Sequence, residues 1–427
     1  MNADCVIVGA GPAGSSLAIR LARLGATVLL LDRRNFPRPK ACGDCLSPQA
    51  NLLLAELGVL PRIAALNPGR LVGWRIFAPN GTWFSARFDS VTGDRRITTA
   101  LSIERARLDH ALLETAAATG VHIETGAHVT GLLAERGTIT GVAYRGRSGT
   151  HMTHARLVVG ADGLRSIVRT RLGITVPLPR VHKLSLSWHI EMPDASGVSG
   201  DRAAEADGDA VPSVDRTSSF GEMHLREGGC IGVAPVDATS ANLTVVANAK
   251  RYGPAVRENP AAFAEQFIAG APALAGRIDP AQLSSRPLAS GPFDRPVRTI
   301  TLPGAALVGD AAGYFDPFTG QGIFQALHGA ALLSRAIEQH AFTTKALTAY
   351  ARAFRRSLRG PRLVQRLIDA ALAEPSHANR WIRLLRGHPD IAATLVAVTG
   401  DLRPPTALLS PSLLISLLAR NHAGRPA

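Results

Sequence analysis

The first 32 residues alternate between short, wholly apolar runs and one stretch with helical spacing. Val6 to Val8 and Val28 to Leu31 have the unbroken apolar character of parallel strands covered on both faces. Between them Leu17, Leu21 and Leu24 recur at helical spacing, and Gly25 is placed to end that helix. A strand, helix, strand unit is therefore expected at the N-terminus. A helix is predicted from Gln49 to Leu57, followed by two extended runs about Asn80-Gly81, a dipeptide suited to a tight hairpin. Helical pattern resumes from Arg105 to Ala118, and short strands follow. "ARLVVGADGLRSIVRTRLG" then repeats the strand, turn, helix grammar. Clean alternation at 184–192, near 219–226 and at 242–248 predicts antiparallel strands with one buried face. The small and acidic stretch between the first two reads as a surface loop. A helix is expected around 259–270, and "ALVGDAAGYFDPFTGQGIFQAL" (306–327) runs strand, bare turn, helix. Beyond Gly329 the pattern is mostly helical. Ser410-Pro411 would start a last helix with Leu413, Leu414, Leu417 and Leu418 on one face.

The fold class that follows is α/β. A discontinuous Rossmann-type domain (1–70, 100–180 and 290–340) is interleaved with an antiparallel sheet domain (71–99 and 181–289), and a C-terminal helical region (341–427) completes the chain.

Composition narrows the class. At 427 residues, 46% hydrophobic with 41 Gly and 28 Pro, the chain reads as globular and rich in turns. Its net charge is +14, yet among 47 basic residues only Lys40, Lys183, Lys250 and Lys345 are lysines. The arginines are scattered and aromatics make up 5%, so nucleic acid, which calls for a clustered basic stripe with aromatic interleaving, is not an expected partner. Four cysteines, at 5, 42, 45 and 230, are too few for a disulfide framework, and a reducing cytoplasm is expected. "MNADCVIVGAG" has no basic region ahead of its apolar run and does not read as a signal peptide. No stretch reaches the roughly 20 apolar residues of a membrane span, which leaves peripheral membrane contact open. Oligomeric state is not legible.

"GAGPAG" places Gly9, Gly11 and Gly14 at G-x-G-x-x-G spacing, with Pro12 and Ala13 opening the helix and Asp32 closing the second strand. Gly9 permits the tight turn, Gly11 lets a pyrophosphate approach the helix N-terminus, and Gly14 lets helix and strand close up. Asp32 would take ribose hydroxyls and disfavours a 2′-phosphate, although Arg33 and Arg34 follow it. A dinucleotide, FAD or NAD, is expected.

Two further motifs carry a resemblance. With the glycine fingerprint, "VVGADGLRSIVR" and "LVGDAAG" stand in the order found in flavoproteins of the para-hydroxybenzoate hydroxylase fold, the group of single-component flavin monooxygenases, geranylgeranyl reductases and flavin halogenases. The chain resembles that group over residues 4 to about 330. The resemblance implies FAD as cofactor and NAD(P)H as its electron donor. It implies that Asp162, Gly163, Ser166 and Arg169 lie near the pyrophosphate and the nicotinamide approach route, and that Gly309 and Asp310 hold the ribityl chain. It implies that Pro317, Gly320, Gln321 and Gly322 pass beside the flavin ring. Arg105, in "IERARLDHALL", matches an R-x-x-L-D-x-x-L position associated with the cofactor, though a solvated helix arginine reads equally well.

"PRPKACGDCLSP" contains Cys42, Gly43 and Cys45 in a C-x-x-C spacing. Zinc would need a second ligand pair, so no metal is expected. A dithiol relay to flavin is the competitor, since disulfide reductases also place a cysteine pair after the first ribose acid, but no second glycine fingerprint occurs. K-x-C-G-D-x-L-S-P also resembles the loop of the geranylgeranyl reductase branch and nearby hydroxylases and halogenases. That resemblance places Cys42 near flavin or substrate and leaves Cys45 at a variable position.

A monooxygenase of this fold makes a flavin hydroperoxide and needs no dedicated nucleophile; a double-bond reductase needs a proton source. His189 and His224 are candidate proton handlers, with His189 the preferred catalytic residue beside Cys42. Trp74 and Trp188 are candidate pocket walls. Residues 228–246, with Cys230, Gly232 and Ala234 where prenyl reductases would place large rings, favour hydroxylation of an aromatic, polyketide or isoprenoid small molecule. Prenyl reduction is the alternative. Halogenation ranks lower, because Lys183 does not sit where a halogenase lysine is expected, as does a disulfide-type reductase using Cys42 and Cys45.

Overall fold

The computed structural model describes residues 2–90, 98–178, 182–192, 218–293, 295–313, 320–371 and 374–409. The chain enters through β1 (Asn2–Val8), α1 (Pro12–Arg23) and β2 (Val28–Asp32), then β3 (Cys45–Leu46), α2 (Pro48–Glu56) and α3 (Leu60–Ala64). It continues through β4 (Gly69–Phe77), β5 (Trp83–Arg87), β6 (Ala100–Ser102), α4 (Arg105–Ala118), β7 (His122–Thr125), β8 (His128–Glu135), β9 (Thr138–Gly146), β10 (Gly149–Gly160) and α5 (Ile167–Arg171). Next come β11 (Lys183–Glu191), β12 (Ser218–Arg226), β13 (Gly229–Pro235), β14 (Ser240–Asn248), α6 (Ala249–Glu258), α7 (Pro260–Ala269), β15 (Leu288–Ser290), β16 (Thr301–Leu302) and β17 (Ala305–Leu307). The described chain closes with α8 (Gly322–His340), α9 (Thr344–Ala371), α10 (Pro375–Gly387) and α11 (Pro389–Thr399).

The strands form two sheets. In the first the order is β16-β17-β10-β1-β2-β7, with β8 and β9 continuing from β10. β10 serves three partners along its length: Gly149–His154 run antiparallel to β9, and His154–Gly160 run parallel to β1, with β17 parallel on the other side of Val158–Gly160. Val8, Gly160 and Leu307 lie in register across β1, β10 and β17. The three turns that follow them therefore leave the sheet side by side at one edge, the position where open α/β sheets bind ligands. The apolar runs read from the sequence are buried on both faces, Val6, Ile7, Leu30 and Leu31 being fully buried.

The second sheet has the order β15-β11-β14-β13-β12-β4-β6-β3, with β5 on β4. Its members come from both flanks of the chain: β3 and β6 lie in segments that the sequence pattern assigned to the dinucleotide domain. One face packs on Phe263, Phe267 and Ile268 of α7, the other on Ala378, Ile382 and Val396 of α10 and α11. The Asn80-Gly81 turn joins β4 to β5, and Gly81 has a φ of 86°. The last leucine-faced helix expected after Ser410 lies outside the described residues.

Candidate functional site

The glycines at the sheet edge have distinct physical duties. Gly9 has a φ of 105°, and a Cβ there would lie 2.5 Å from the carbonyl oxygen of Ala161. A Cβ on Gly14 would fall 1.8 Å from the carbonyl oxygen of Gly9, so helix and turn touch directly. Gly11 is different: a Cβ would meet only two guanidinium tips, Arg38 at 3.7 Å and Arg105 at 3.9 Å. An open space bounded by two cations at a helix N-terminus is an anion seat. Pro12 supplies the first helical residue, and Ala13 lies against the Gly309 turn.

Asp32 is buried at the end of β2. One of its oxygens accepts the Ala10 N–H at 2.8 Å and the other the Arg34 N–H at 2.9 Å, so the carboxylate braces the glycine turn. Arg38 links Asp32 (3.6 Å) to Asp109 of α4 (3.3 Å). Arg105, buried in the first turn of α4, forms a fork-to-fork pair with Asp109 at 2.9 and 3.0 Å. Arg33 is exposed beyond Asp32.

The second and third turns are clipped together. Asp162 accepts the Ile167 N–H at 2.6 Å, capping α5, while its other oxygen is buried with no partner. Burial pushes its carboxyl up, opposed by Ser166 and by the backbone N–H groups around it. Gly163 follows with a φ of 76°. Arg169 donates to the carbonyls of Leu164 and of Ala311, the latter at 3.2 Å. Asp310 faces Lys40, whose ammonium stands 4.0 Å from its carboxylate. Burial, reinforced by Arg105, pushes the Lys40 ammonium below its usual range, with Asp310 working the other way.

These turns open into one cleft. Its edge is formed by Gly11, Pro12, Ala13, Lys40, Cys42, Gly43, Arg105, Gly163, Gly309, Asp310, Gly320 and Gly322. The far wall comes from the second sheet and its margins: Trp74, Met223, Cys230, Gly232, Ala234, Val246 and Phe293. Pro317 lies outside the described residues. Gln321 does not reach the cleft with its side chain, which donates to Asp401 near the C-terminal end of the chain. Trp188 is packed in the core under the sheet.

Cys42 and Cys45 are both free thiols on the cleft wall. Burial pushes both up; at Cys42 the adjacent Arg105 guanidinium works in the opposite direction. His189 does not line the cleft: its Nε2 lies 2.6 Å from Oδ2 of Asp44. His224 is buried on Phe77 (ring centroids 4.3 Å apart, stacked) and pairs with Glu222 at 3.0 Å, inside an ionic cluster that includes Arg277. Among the described residues, the titratable side chains on the cleft are Lys40, Arg105, Asp310, Cys42, Cys45 and Cys230. The sequence reading overlooked Arg38 and Asp401, and met Lys40 and Asp44 as letters of the K-x-C-G-D motif without giving either a role. Lys40 carried a signal, as a lysine in a chain whose other cations are nearly all arginines.

A family model described as an FAD binding domain matches residues 2–350. The chain belongs to this FAD-binding family. It is 28% identical over 361 residues to digeranylgeranylglycerophospholipid reductase 1 of Methanococcoides burtonii, covering 83% of this chain and 80% of that protein. It is 29% identical over 337 residues to squalene epoxidase 2, mitochondrial, of Arabidopsis thaliana, covering 76% of this chain and 52% of the relative. Among solved structures, the myxobacterial chondrochloren halogenase matches with a TM-score of 0.74 at 21% identity, covering 98% of this chain and 97% of the other. A geranylgeranyl bacteriochlorophyll reductase-like protein of Thermoplasma acidophilum matches with a TM-score of 0.74 at 22% identity, covering 98% and 99%. The fold is thus that of the flavin halogenases and reductases, and the chain is an FAD-dependent oxidoreductase. The site fits the cofactor on its own terms: an open anion seat at Gly11, an unpartnered buried oxygen on Asp162, and Asp310 on the cleft edge. No described helix is long and apolar enough to cross a membrane.

Proposed function

We propose that this FAD enzyme draws electrons from NAD(P)H and oxygenates an apolar small molecule, an aromatic, polyketide or isoprenoid compound. Bound FAD supplies the redox chemistry. The chain's own residues bind, orient and shield. Arg38 and Arg105 would hold the pyrophosphate over Gly11, Asp32 a ribose, and Asp310 the ribityl chain, with Lys40 balancing its charge. The Gly320–Gly322 turn and the N-terminus of α8 would place backbone donors beside the ring.

One observation carries the choice of chemistry. Among the described residues the sheet-side wall holds no carboxyl, imidazole, ammonium or phenol: beside Trp74, Met223, Ala234, Val246 and Phe293 its polar groups are the hydroxyls of Ser185, Thr244 and Ser290, the Asn242 amide and the Cys230 thiol, which burial pushes up to about 11, and none of these is a ready acid near neutral pH. Oxygen insertion needs no protein acid there, because one oxygen atom enters the substrate and the other leaves as water with electrons from NAD(P)H. Saturating a double bond requires a proton delivered to the second carbon. The second reading, prenyl reduction, is favoured by the Cys42 thiol where the two walls meet, and by relatives named as isoprenoid-lipid reductases.

The deciding experiment reduces the flavin with NADH or NADPH under argon, adds an apolar polyene or aromatic, and admits isotopically heavy oxygen. Heavy oxygen in the product supports oxygenation. A product gaining two hydrogens with no oxygen present overturns it in favour of reduction.

An apolar substrate partitions into lipid, and the rim of the cleft suits collection from a lipid surface. The face of α9 that points away from its buried Phe354 and Leu358 carries Arg352, Arg356, Arg359, Leu363, Arg366 and Leu367, and both leucines are exposed. Asp369 on the same helix bonds Lys183 at 3.1 Å, and the Lys183 carbonyl accepts the Phe293 N–H on the cleft wall. This basic, leucine-studded face supports docking on anionic phospholipid beside the cleft mouth.

A further inference from the structure

Asp44 is the most constrained group in the loop that carries Cys42. It is 1% exposed and sits at a φ of 56°, a conformation that favours glycine. Its carboxylate is held from three elements. Oδ1 accepts the backbone N–H of Arg105 at the start of α4, at 3.2 Å. Oδ2 accepts Nδ2 of Asn242 on β14 at 2.7 Å and faces Nε2 of His189 on β11 at 2.6 Å. The same Asn242 amide also donates to the Cys42 carbonyl at 2.9 Å. The loop from 42 to 45 is therefore fastened at once to the second sheet and to the helix whose first residue, Arg105, faces the anion seat.

From this geometry we infer that Asp44 and His189 act together as a latch: a positioning pair that fixes the Cys42 loop across the two halves of the cleft and loosens as His189 loses its charge. His189 is the only one of the three partners that can change charge near neutral pH. Its side chain is a third exposed, so solvent protons reach it. Among the described residues, the charged groups that act on it most are acidic: Asp44 itself, Glu104 at the N-cap of α4 and Asp237 in the turn before β14. The hydrogen bond to Asp44 pushes the imidazole above its usual range, the other carboxylates adding to it against burial. The charged pair is thus complete below that raised value. It weakens to a neutral hydrogen bond as pH rises through it. The role of His189 is transmitted through Asp44 to the loop: His189 itself does not line the cleft, although its cross-strand neighbour Asn242 does.

The test is amide hydrogen exchange of peptides spanning 41–46 and 103–106 in the FAD-loaded full chain, comparing wild type with His189→Gln and His189→Ala from pH 5.5 to 9. Intrinsic exchange chemistry cancels in each variant-to-wild-type ratio. Glutamine keeps a neutral donor without a titration. Its ratio should be about fivefold at the acid end, the worth of a charge-assisted over a neutral hydrogen bond, and fall towards unity at the alkaline end. Alanine should exchange faster at every pH. The latch is overturned if the glutamine ratio is flat with pH, or if alanine leaves the loop as protected as in wild type. Flavin absorbance confirms that each variant holds its cofactor, and the readout needs no substrate, so it stands whichever reaction the cleft performs.

Discussion

The guanidinium of Arg169 donates to the carbonyl of Ala311 at 3.2 Å across 142 residues of sequence, and its other nitrogen takes the carbonyl of Leu164. One buried side chain thereby fixes the spacing between the turn after β10 and the turn after β17. Lysine there can offer a charge but not two fixed, divergent donors. Arg169→Lys should weaken FAD binding by about ten- to hundredfold, the worth of one or two charge-assisted hydrogen bonds. Titrating apoprotein with FAD and following flavin fluorescence checks this; an unchanged affinity would show that the turns keep their spacing without the clip.

Gly11 and Gly14 separate binding from folding. A methyl at Gly14 collides with the Gly9 carbonyl, whereas at Gly11 it meets only the ends of two flexible arginines. Gly11→Ala should leave the melting temperature of the apoprotein within about 2 °C of wild type, because a surface change away from packing is worth little, yet lose the yellow flavin. Gly14→Ala should lower the melting temperature as well as abolish colour. Circular dichroism melts and visible spectra, run side by side, give both answers.

How far the sequence foretold the site depends on whether its information was local. β1, α1 and β2 were legible because a doubly covered parallel strand is apolar throughout, and because Gly9, Gly11 and Gly14 each answer a steric demand set by neighbours in the same turn. β11, β12 and β14 were equally legible as strands, but their alternation predicted one buried face, whereas residues 241–247 of β14 are buried on both, between α7 and the cleft side of the sheet. What escaped were contacts with no local signature. Asp44 reads as a loop residue until β11 and β14 fold beneath it, and Asp401 carries no local signal until Gln321 and Ser47 meet it. His189 alternates as a strand residue should, but alternation says only which face it takes, and the partner it finds is 145 residues away.

Asp401 supplies a second pH test, of the same sign as the latch but read in stability. Burial pushes its carboxyl up to about 7, with Ser47 and Gln321 pulling the other way. In the unfolded chain an aspartate titrates near 4, so between about 4 and 7 the folded protein holds a proton that the unfolded chain has released. This site's contribution to stability must fall as pH rises through that window and level off above it. Asp401→Asn removes the titration while keeping a polar group of the same shape. Its melting temperature relative to wild type should climb by a few degrees from pH 4.5 to pH 7.5. A constant difference across that range would place the proton elsewhere.

The exposed face of α9 makes the most direct prediction about where the enzyme works. Between residues 352 and 386 there are nine arginines against Asp369 and Glu374, and Leu363, Leu367 and Trp381 are exposed among them. A merely solvated helix gains nothing from exposed leucines, whereas a lipid interface rewards both residue types: arginine meets phosphate and leucine enters the acyl boundary. The protein should sediment with vesicles containing phosphatidylserine and not with pure phosphatidylcholine. Each basic side chain near an anionic surface contributes about 1 kcal/mol, so Arg359→Glu with Arg366→Glu should reduce the bound fraction at least tenfold, and salt should do the same to wild type. Leu363→Ser with Leu367→Ser should weaken binding without altering its salt dependence. Equal sedimentation with neutral and anionic vesicles, or no loss in the charge-reversed variant, would leave the arginines of α9 as a solvated face.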